Sequence, residues 1–515
     1  MGVTLVQRLE IIKSSYYDSV TLMLVAKELN KLDGIISSSL NMGTEANYNI
    51  MLSGGFDLSG IDATPNDLII GVIGEDEGVL ESAIKTAHAI IANPPWKKAA
   101  PAGDYFPKSL DGALAIQKDS NIAVISVAGR YAGDLAQSCL DKGLNVMLFS
   151  DNVTLEKEIE LKKSASEKGL LVMGPDCGTV IIRGVALGFA NACPVGPVGI
   201  VAAAGTGLQE VHIQLARRGV GTMHGIGTGG RDVKSEVGGV TALAAVKALL
   251  EDDDIKTLLV VGKPPAREVE DKILELIKKF HKPAVLGFIG GQSKEDQPPV
   301  YICSELEETA AVGAALAKGE DVDTARSDLR AKEAALKVSA KKIGIRKGWI
   351  RGLYSGGTLC YEAQLVLAKN GIETWSNAPF AKEKKLKNSL EPTEHSIIDY
   401  GEDEFTQGRL HPMMDLTFRC DRLLVEAKDP EVGVILLDVV LGYGCNPDPA
   451  GLIADAVKKA SAVSGKRIAF VASVCGVDGD PQDGAKQKKI LEDAGIIVCD
   501  SNAQAANLAA FLIGR

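Results

Sequence analysis

The stretch Val198-Gly199-Ile200-Val201-Ala202-Ala203-Ala204-Gly205-Thr206-Gly207-Leu208-Gln209-Glu210 reads as a buried strand, a Gly-rich turn and the start of a helix that runs to Arg218. A short apolar run bounded by glycine fits a strand covered on both faces. Strand, turn and helix in that order fit a parallel sheet whose ligands gather at the strand C-termini. The pattern returns at Arg351-Gly352-Leu353-Tyr354, Ser355-Gly356-Gly357-Thr358 and a helix carrying Glu362. Placing Gly205-Thr206 on Gly357-Thr358 also places Glu210 on Glu362. Residues 255–261 then correspond to 432–439, 284–291 to 468–476, and Ile302-Cys303-Ser304 to Val498-Cys499-Asp500. Two related α/β domains in one chain are expected.

Outward from this repeat, alternation of strand and helix continues in both directions. Residues 1–100 predict a small α/β module of βαβ type, closed by Asn93-Pro94-Pro95 and a Pro-containing linker through Pro107. Residues 118–193 predict a Rossmann-like domain, 194–320 and 350–515 two flavodoxin-like domains with parallel sheets, and 321–349 a linking helix.

The 515 residues are 46% hydrophobic, 24% charged and 5% aromatic, which suits helix-covered sheets rather than disorder. A net charge of −11 disfavours nucleic-acid binding, and the short run Lys382 to Lys387 reads as a solvated loop. No apolar run reaches the length of a membrane span, and no secretory leader is read. Nine cysteines without C-x-x-C spacing predict reduced thiols and a cytoplasmic protein. Neither His-x-x-x-His nor paired Cys/His spacing occurs, so no metal site is expected.

A helix that begins at a Gly-rich turn leaves its first N–H groups unpaired and partly positive. Gly205, Thr206 and Gly207 on one turn, with Ser355, Gly356, Gly357 and Thr358 on the other, are therefore expected to grip one phosphate or carboxylate between them. The alternative is that both are ordinary tight connections. Gly229, Gly230 and Arg231 form a third loop that could hold a substrate anion, or a flexible turn with Arg231 in a surface ion pair. Gly129 to Gly133 lacks dinucleotide spacing, which disfavours NAD.

Residues 121–180, ending in Gly174-Pro175-Asp176-Cys177-Gly178, resemble the CoA-binding domain of the succinyl-CoA synthetase α subunit, whose motif has Gly-Pro-Asn-Cys. Val198 to Gly230 resembles the following phosphate-binding helix and Gly loop, and residues 350–515 are similar to the β-subunit ligase domain. The fusion of these parts behind an N-terminal module resembles the FdrA family of that superfamily. The resemblance implies a CoA-type pocket at Gly129, Arg130, Tyr131, Asp176 and Cys177, with CoA a candidate cofactor. It also implies that Glu210, with its counterpart Glu362, positions the turns or relays protons.

Two departures stand against ordinary ligase chemistry. Where the superfamily carries its phosphorylated histidine, this chain has Gln292-Ser293-Lys294-Glu295-Asp296-Gln297-Pro298-Pro299. An ATP-grasp module is missing too. Of His88, His212, His224, His281, His395 and His411, only His411, at a polar junction before Pro412, is taken as a catalytic candidate. The resemblance thus implies a subunit of an oxamate carbamoyltransferase, with phosphate as substrate and other subunits as partners. In allantoin breakdown that enzyme converts oxalurate and phosphate to oxamate and carbamoyl phosphate. An acyl-CoA synthetase fed by a partner's phosphoryl group, and a noncatalytic CoA-binding scaffold, are the alternatives.

Overall fold

The structure is a computed structural model that describes residues 5–13, 15, 17, 19–64, 67–95, 107, 109–291, 295–344, 347–406, 409–463 and 467–514. Gln292 to Lys294 of the histidine-free stretch, and most of the linker before Pro107, lie outside the described residues. The chain divides into two compact units, Met1–Asp119 with Asp403–Leu410, and Ser120–Glu402 with His411–Arg515.

In the first unit, β1 (Val6–Ile12), α1 (Ser19–Leu29), β2 (Ile35–Met42), α2 (Glu45–Ser53), β3 (Leu68–Gly74) and α3 (Glu77–Ala92) alternate, followed by a short α4 (Leu110–Ile116). β3 lies between β1 and β2 and runs antiparallel to both, a split βαβ arrangement. Its centre is apolar on both faces and buries Ile70 and Val72 against Leu22, Val25 and Leu80. Asp76 caps α3 by accepting from the Val79 N–H at 2.9 Å.

The second unit opens with β4 (Ile122–Ile125), α5 (Gly129–Asp141), β5 (Asn145–Leu148), α6 (Leu155–Glu167) and β6 (Val172–Met173), a three-stranded parallel sheet. The hairpin β7 (Thr179–Ile182) and β8 (Val185–Gly188) does not extend that sheet. It joins the next one antiparallel to β10 (Thr222–Gly227), so two strands of the 118–193 segment are shared with the following domain. That domain also contains β9 (Val198–Ala202), α7 (Gly205–Arg217), α8 (Val240–Glu251), β11 (Thr257–Gly262), α9 (Arg267–Phe280), β12 (Ala284–Phe288), β13 (Val300–Cys303) and α10 (Leu306–Lys318).

The 22-residue α11 (Val322–Ile343) leads to β14 (Trp349–Tyr354), α12 (Gly357–Lys369), β15 (Ser396–Asp399), the short α13 (Asp403–Thr406), α14 (Thr417–Lys428), β16 (Val432–Val440), α15 (Pro449–Val463), β17 (Ala469–Cys475), α16 (Gly484–Asp493), β18 (Ile497–Cys499) and α17 (Asn502–Leu512). Its sheet order, β18-β17-β16-β14-β15, repeats the order β13-β12-β11-β9-β10 of the preceding sheet, and all these pairs are parallel. The repeat seen in the sequence is therefore a repeat of topology.

The two halves are joined by buried polar contacts as well as by an apolar core. Asn191 donates to Asp480 at 2.9 Å, Gln214 to the Asp500 carbonyl at 2.6 Å, and Arg217 to the carbonyls of Val474 and Gly476 at 2.9 and 2.8 Å. Satisfying these groups fixes the register of one domain on the other. The Lys382 to Lys387 run is a mostly exposed loop in which Lys384 pairs with Glu373 at 2.5 Å.

Candidate functional site

The starts of α7 and α12 meet. A Cβ built on Gly207 would lie 2.9 Å from Thr358 Cγ2, and one built on Gly356 would lie 2.9 Å from Thr206 Cγ2. Each threonine thus occupies the space the opposite glycine leaves empty, a reciprocal contact that follows from the repeat. Any larger residue at either glycine would separate the helices.

At α7 no side chain caps the helix, and the amides of Gly205, Thr206 and Gly207 donate no hydrogen bond among the described residues. Thr179, from β7, is 1% exposed, and its Oγ1 lies 3.0 Å from a Cβ built on Gly205. That hydroxyl has no hydrogen-bond partner among the described residues. An unpaired buried donor beside unpaired helix amides is a place for an anion. Thr179 escaped the sequence reading because it belongs to a different strand and no spacing links it to the turn.

At α12 the expectation needs correction. The amides of Ser355 and Gly356 both donate to Asp438, each at 2.9 Å, and Ser355 Oγ adds a bond at 3.1 Å. Asp438, on β16, is fully buried and ion-paired with Arg419 at 3.1 Å. A carboxylate of the chain itself fills this nest, so Ser355 and Gly356 are not open to an external anion. Gly357 and Thr358, one step further into the helix, keep amides that are unpaired among the described residues. A two-sided grip therefore reduces to the α7 turn on one side and Gly357-Thr358 on the other.

Around Gly357 lie two polar side chains. A Cβ on Gly357 would be 2.7 Å from Asp399 Oδ2, and a Cβ on Gly401 would be 2.8 Å from His411 Nε2 and 3.1 Å from Asp399 Oδ1. Oδ1 accepts from the Gly401 N–H at 2.9 Å, whereas Oδ2 makes no hydrogen bond among the described residues. His411 Nδ1 accepts from the Met413 N–H at 3.2 Å, which assigns the ring proton to Nε2. Burial holds the His411 pKa down at about 4, so at neutral pH the ring is an uncharged donor. Its ring stands 6.3 Å from Phe189, which in turn lies 5.5 Å from Phe149. Lys263, exposed beyond β11, places its ammonium 4.6 Å over the ring of Tyr361, the fifth residue of α12.

Glu210 and Glu362 are not at this mouth. Both are buried on the helix–helix interface. Glu362 accepts from the Leu306 N–H at 2.7 Å and from Asn502 at 2.8 Å, so it caps α10 and ties α12 to α17. Burial raises its pKa to about 8 and also raises that of Glu210, which accepts from Gln214 at 3.1 Å. Each positions its helix rather than reaching a ligand.

Arg231 is likewise committed. Its Nε pairs with Glu158 at 2.7 Å and its Nη2 donates to the Val153 carbonyl at 2.8 Å. The fully buried Lys162 joins Glu158 at 2.7 Å, Asp232 at 2.8 Å and the Thr228 carbonyl at 3.1 Å, and Asp232 caps α8 through Thr241 and Ala242. This network anchors the Gly loop. Gly229, at φ +82°, rests with its Cβ position 2.5 Å from the Pro175 carbonyl, a contact that any side chain would block; Gly230 has open space around it. The loops at 174–177 and 228–230 are therefore neighbours. Burial pushes the Cys177 thiol up to about 12, which makes it inert as a nucleophile. Gly129 packs against Asp151 and Asn152, and exposed Arg130 stacks 4.8 Å from the Tyr131 ring at the uncapped start of α5.

These features define a protein of the succinyl-CoA synthetase superfamily. The family described as CoA-ligase matches residues 353–512, and the CoA binding domain family matches residues 196–290. The latter match covers the β9–α7 domain and does not reach residues 129–131 and 176–177, where the sequence led us to expect a CoA-type pocket. A family described as AllF, heavy metal-associated domain, matches residues 5–105. The chain is 36% identical to the uncharacterized protein YahF of Escherichia coli K12, over 96% of both chains. It is 28% identical to the subunit alpha 1 of the ADP-forming succinate–CoA ligase of Archaeoglobus fulgidus, over 34% of this chain and 60% of that subunit. A dinucleotide-forming acetyl-coenzyme A synthetase 1 of Ca. Korarchaeum cryptofilum aligns with 76% of the chain at 14% identity and a TM-score of 0.32. The chain belongs to the FdrA family.

The residues of the first unit do not fit a heavy metal. The first cysteine of the chain is Cys139, and His88 is paired with Glu10 at 2.7 Å. No group of three metal-ligating side chains occurs among the described residues, and no described helix is long and apolar enough to cross a membrane.

Proposed function

We propose that this chain is the phosphate-handling subunit of an oxamate carbamoyltransferase, which converts oxalurate and inorganic phosphate to oxamate and carbamoyl phosphate in allantoin breakdown. The observation that supports it most is the start of α7, where three amides without partners among the described residues lie beside the buried, unpaired Thr179 hydroxyl. A phosphate held there needs neither a phosphohistidine nor a nucleotide. One of its oxygens attacks the ureido carbonyl, and the developing oxyanion meets donors fixed in advance, the Gly357 and Thr358 amides. Lys263 takes the role the sequence suggested for Arg231: its ammonium has no carboxylate within ion-pair distance among the described residues and is free to hold the oxalurate carboxylate. Partner subunits complete the enzyme.

The uncapped start of α5, with Arg130 and Tyr131 exposed, favours a second reading, acyl-CoA synthesis. There Gly129 to Tyr131 would hold the anionic end of CoA, whose thiol supplies the acyl acceptor.

The test is to assay the chain, purified with the subunits encoded beside it, for carbamoyl phosphate formed from oxalurate and phosphate. The expected result is turnover indifferent to CoA. In Thr179→Val, which removes one charge-assisted hydrogen bond worth roughly 1.5 to 3 kcal/mol, the KM for phosphate should rise by about ten-fold or more. Thioester formation with CoA and no carbamoyl phosphate would overturn this reading.

A further inference from the structure

We propose that Asp399 is a catalytic acid, a protonated carboxyl that hydrogen-bonds the bound anion at the start of α12 and passes its proton to the departing nitrogen. This rests on the carbamoyl-transfer reading and adds a group that no motif in the sequence marks. Its basis is geometric. Asp399 is 2% exposed at the end of β15, with Oδ1 fixed by the Gly401 amide at 2.9 Å and Oδ2 unpartnered and facing Gly357. The neighbouring Gly356 abuts Thr206 of α7, so the carboxyl sits at the mouth shared by both helix starts.

The charges facing Asp399 favour the neutral acid. Burial is the largest influence, Glu402 and Asp438 repel a negative charge, and only the Gly401 amide and Lys263 oppose them, which leaves the pKa at about 7. His411 is uncharged, and the buried Cys360 thiol, held well above its ordinary value by burial, is neutral as well. An ionised aspartate here would repel an anion, whereas the acid donates to it.

The step balances. Hydrogen phosphate attacks the ureido carbon as the bond from that carbon to the oxamate nitrogen breaks, and Asp399 gives its proton to that nitrogen. The proton carried by the phosphate then restores Asp399, leaving oxamate and carbamoyl phosphate with the starting number of charges. His411 Nε2–H, beside Gly401, steadies the same oxygens as a positioning donor.

Sulfate, which does not titrate near neutrality, is the probe. For the wild-type chain, sulfate affinity measured by calorimetry should fall between pH 6 and pH 8, approaching ten-fold per unit above pH 7. Asp399→Asn should bind sulfate with little dependence on pH and about ten-fold more tightly than wild type at pH 8. Its carbamoyl phosphate formation should drop by roughly 10²- to 10⁴-fold. Tighter anion binding together with lost turnover is an outcome that simple structural damage would not give. Flat sulfate affinity in the wild type, or an Asp399→Asn protein that matches wild type in both measurements, overturns the proposal. If Asp399→Asn does not fold, the wild-type profile decides. A wild type that makes no carbamoyl phosphate sinks the reaction assigned above, while the sulfate profile still decides whether Asp399 carries the proton.

Discussion

Asp438→Ala is expected to destabilise the second unit by about 3 to 5 kcal/mol, because it strips a buried cation of its partner. Arg419 is 3% exposed and pairs with Asp438 through both its side chain and the Asp438 carbonyl. The same substitution releases the Ser355 and Gly356 amides and the Ser355 hydroxyl. Those donors, with the guanidinium behind them, then form a vacant anion nest. Thermal melts should show the variant gaining more stability from added sulfate than the wild type does, since an ion that binds only the folded state stabilises it by mass action. A variant as stable as wild type, or one indifferent to sulfate, would show that the α12 start is not held by this carboxylate.

Lys162→Met should cost a similar amount, about 3 to 5 kcal/mol, by leaving Asp232 buried without its cation. The damage is expected to be local. Asp232 caps α8, and Lys162 holds the Thr228 carbonyl, so hydrogen exchange should quicken first in residues 228–242. A loss below about 1 kcal/mol, or exchange that quickens evenly along the chain, would contradict the view that this network anchors the Gly loop.

Much of the architecture was legible in the sequence because it is written in runs. Completely buried strands appear as apolar runs, unbroken in β9 and interrupted in β16 by Asp438 alone, and the glycines after β9 and β14 mark turns whatever surrounds them. Long-range pairing was less legible. The hairpin β7–β8 could not be placed in the neighbouring sheet, since its single residue pair with β10, Gly225 with Ile181, leaves no local sign. The site divides along the same line. The starts of α7 and α12 at Gly205 and Gly357 were readable because helix starts are local, whereas the anion and catalytic roles given to these turns and to His411 belong to the proposal. Of the two readings of Arg231, the ion pair is the one found, with Glu158 as its buried partner; the pair Ser355-Gly356 misled, because nothing in the sequence says that Asp438 reaches it first. Thr179, Lys263 and Asp399 were invisible, being lone residues at the ends of other strands.

Crystals of the chain grown with sulfate or phosphate decide where the anion sits. One tetrahedral anion is expected, bound by the amides of Gly205 to Gly207 and by Thr179 Oγ1, within reach of Gly357 and Asp399. An empty α7 start at saturating anion, with the ion seated instead at Arg231 or elsewhere on the surface, would contradict it.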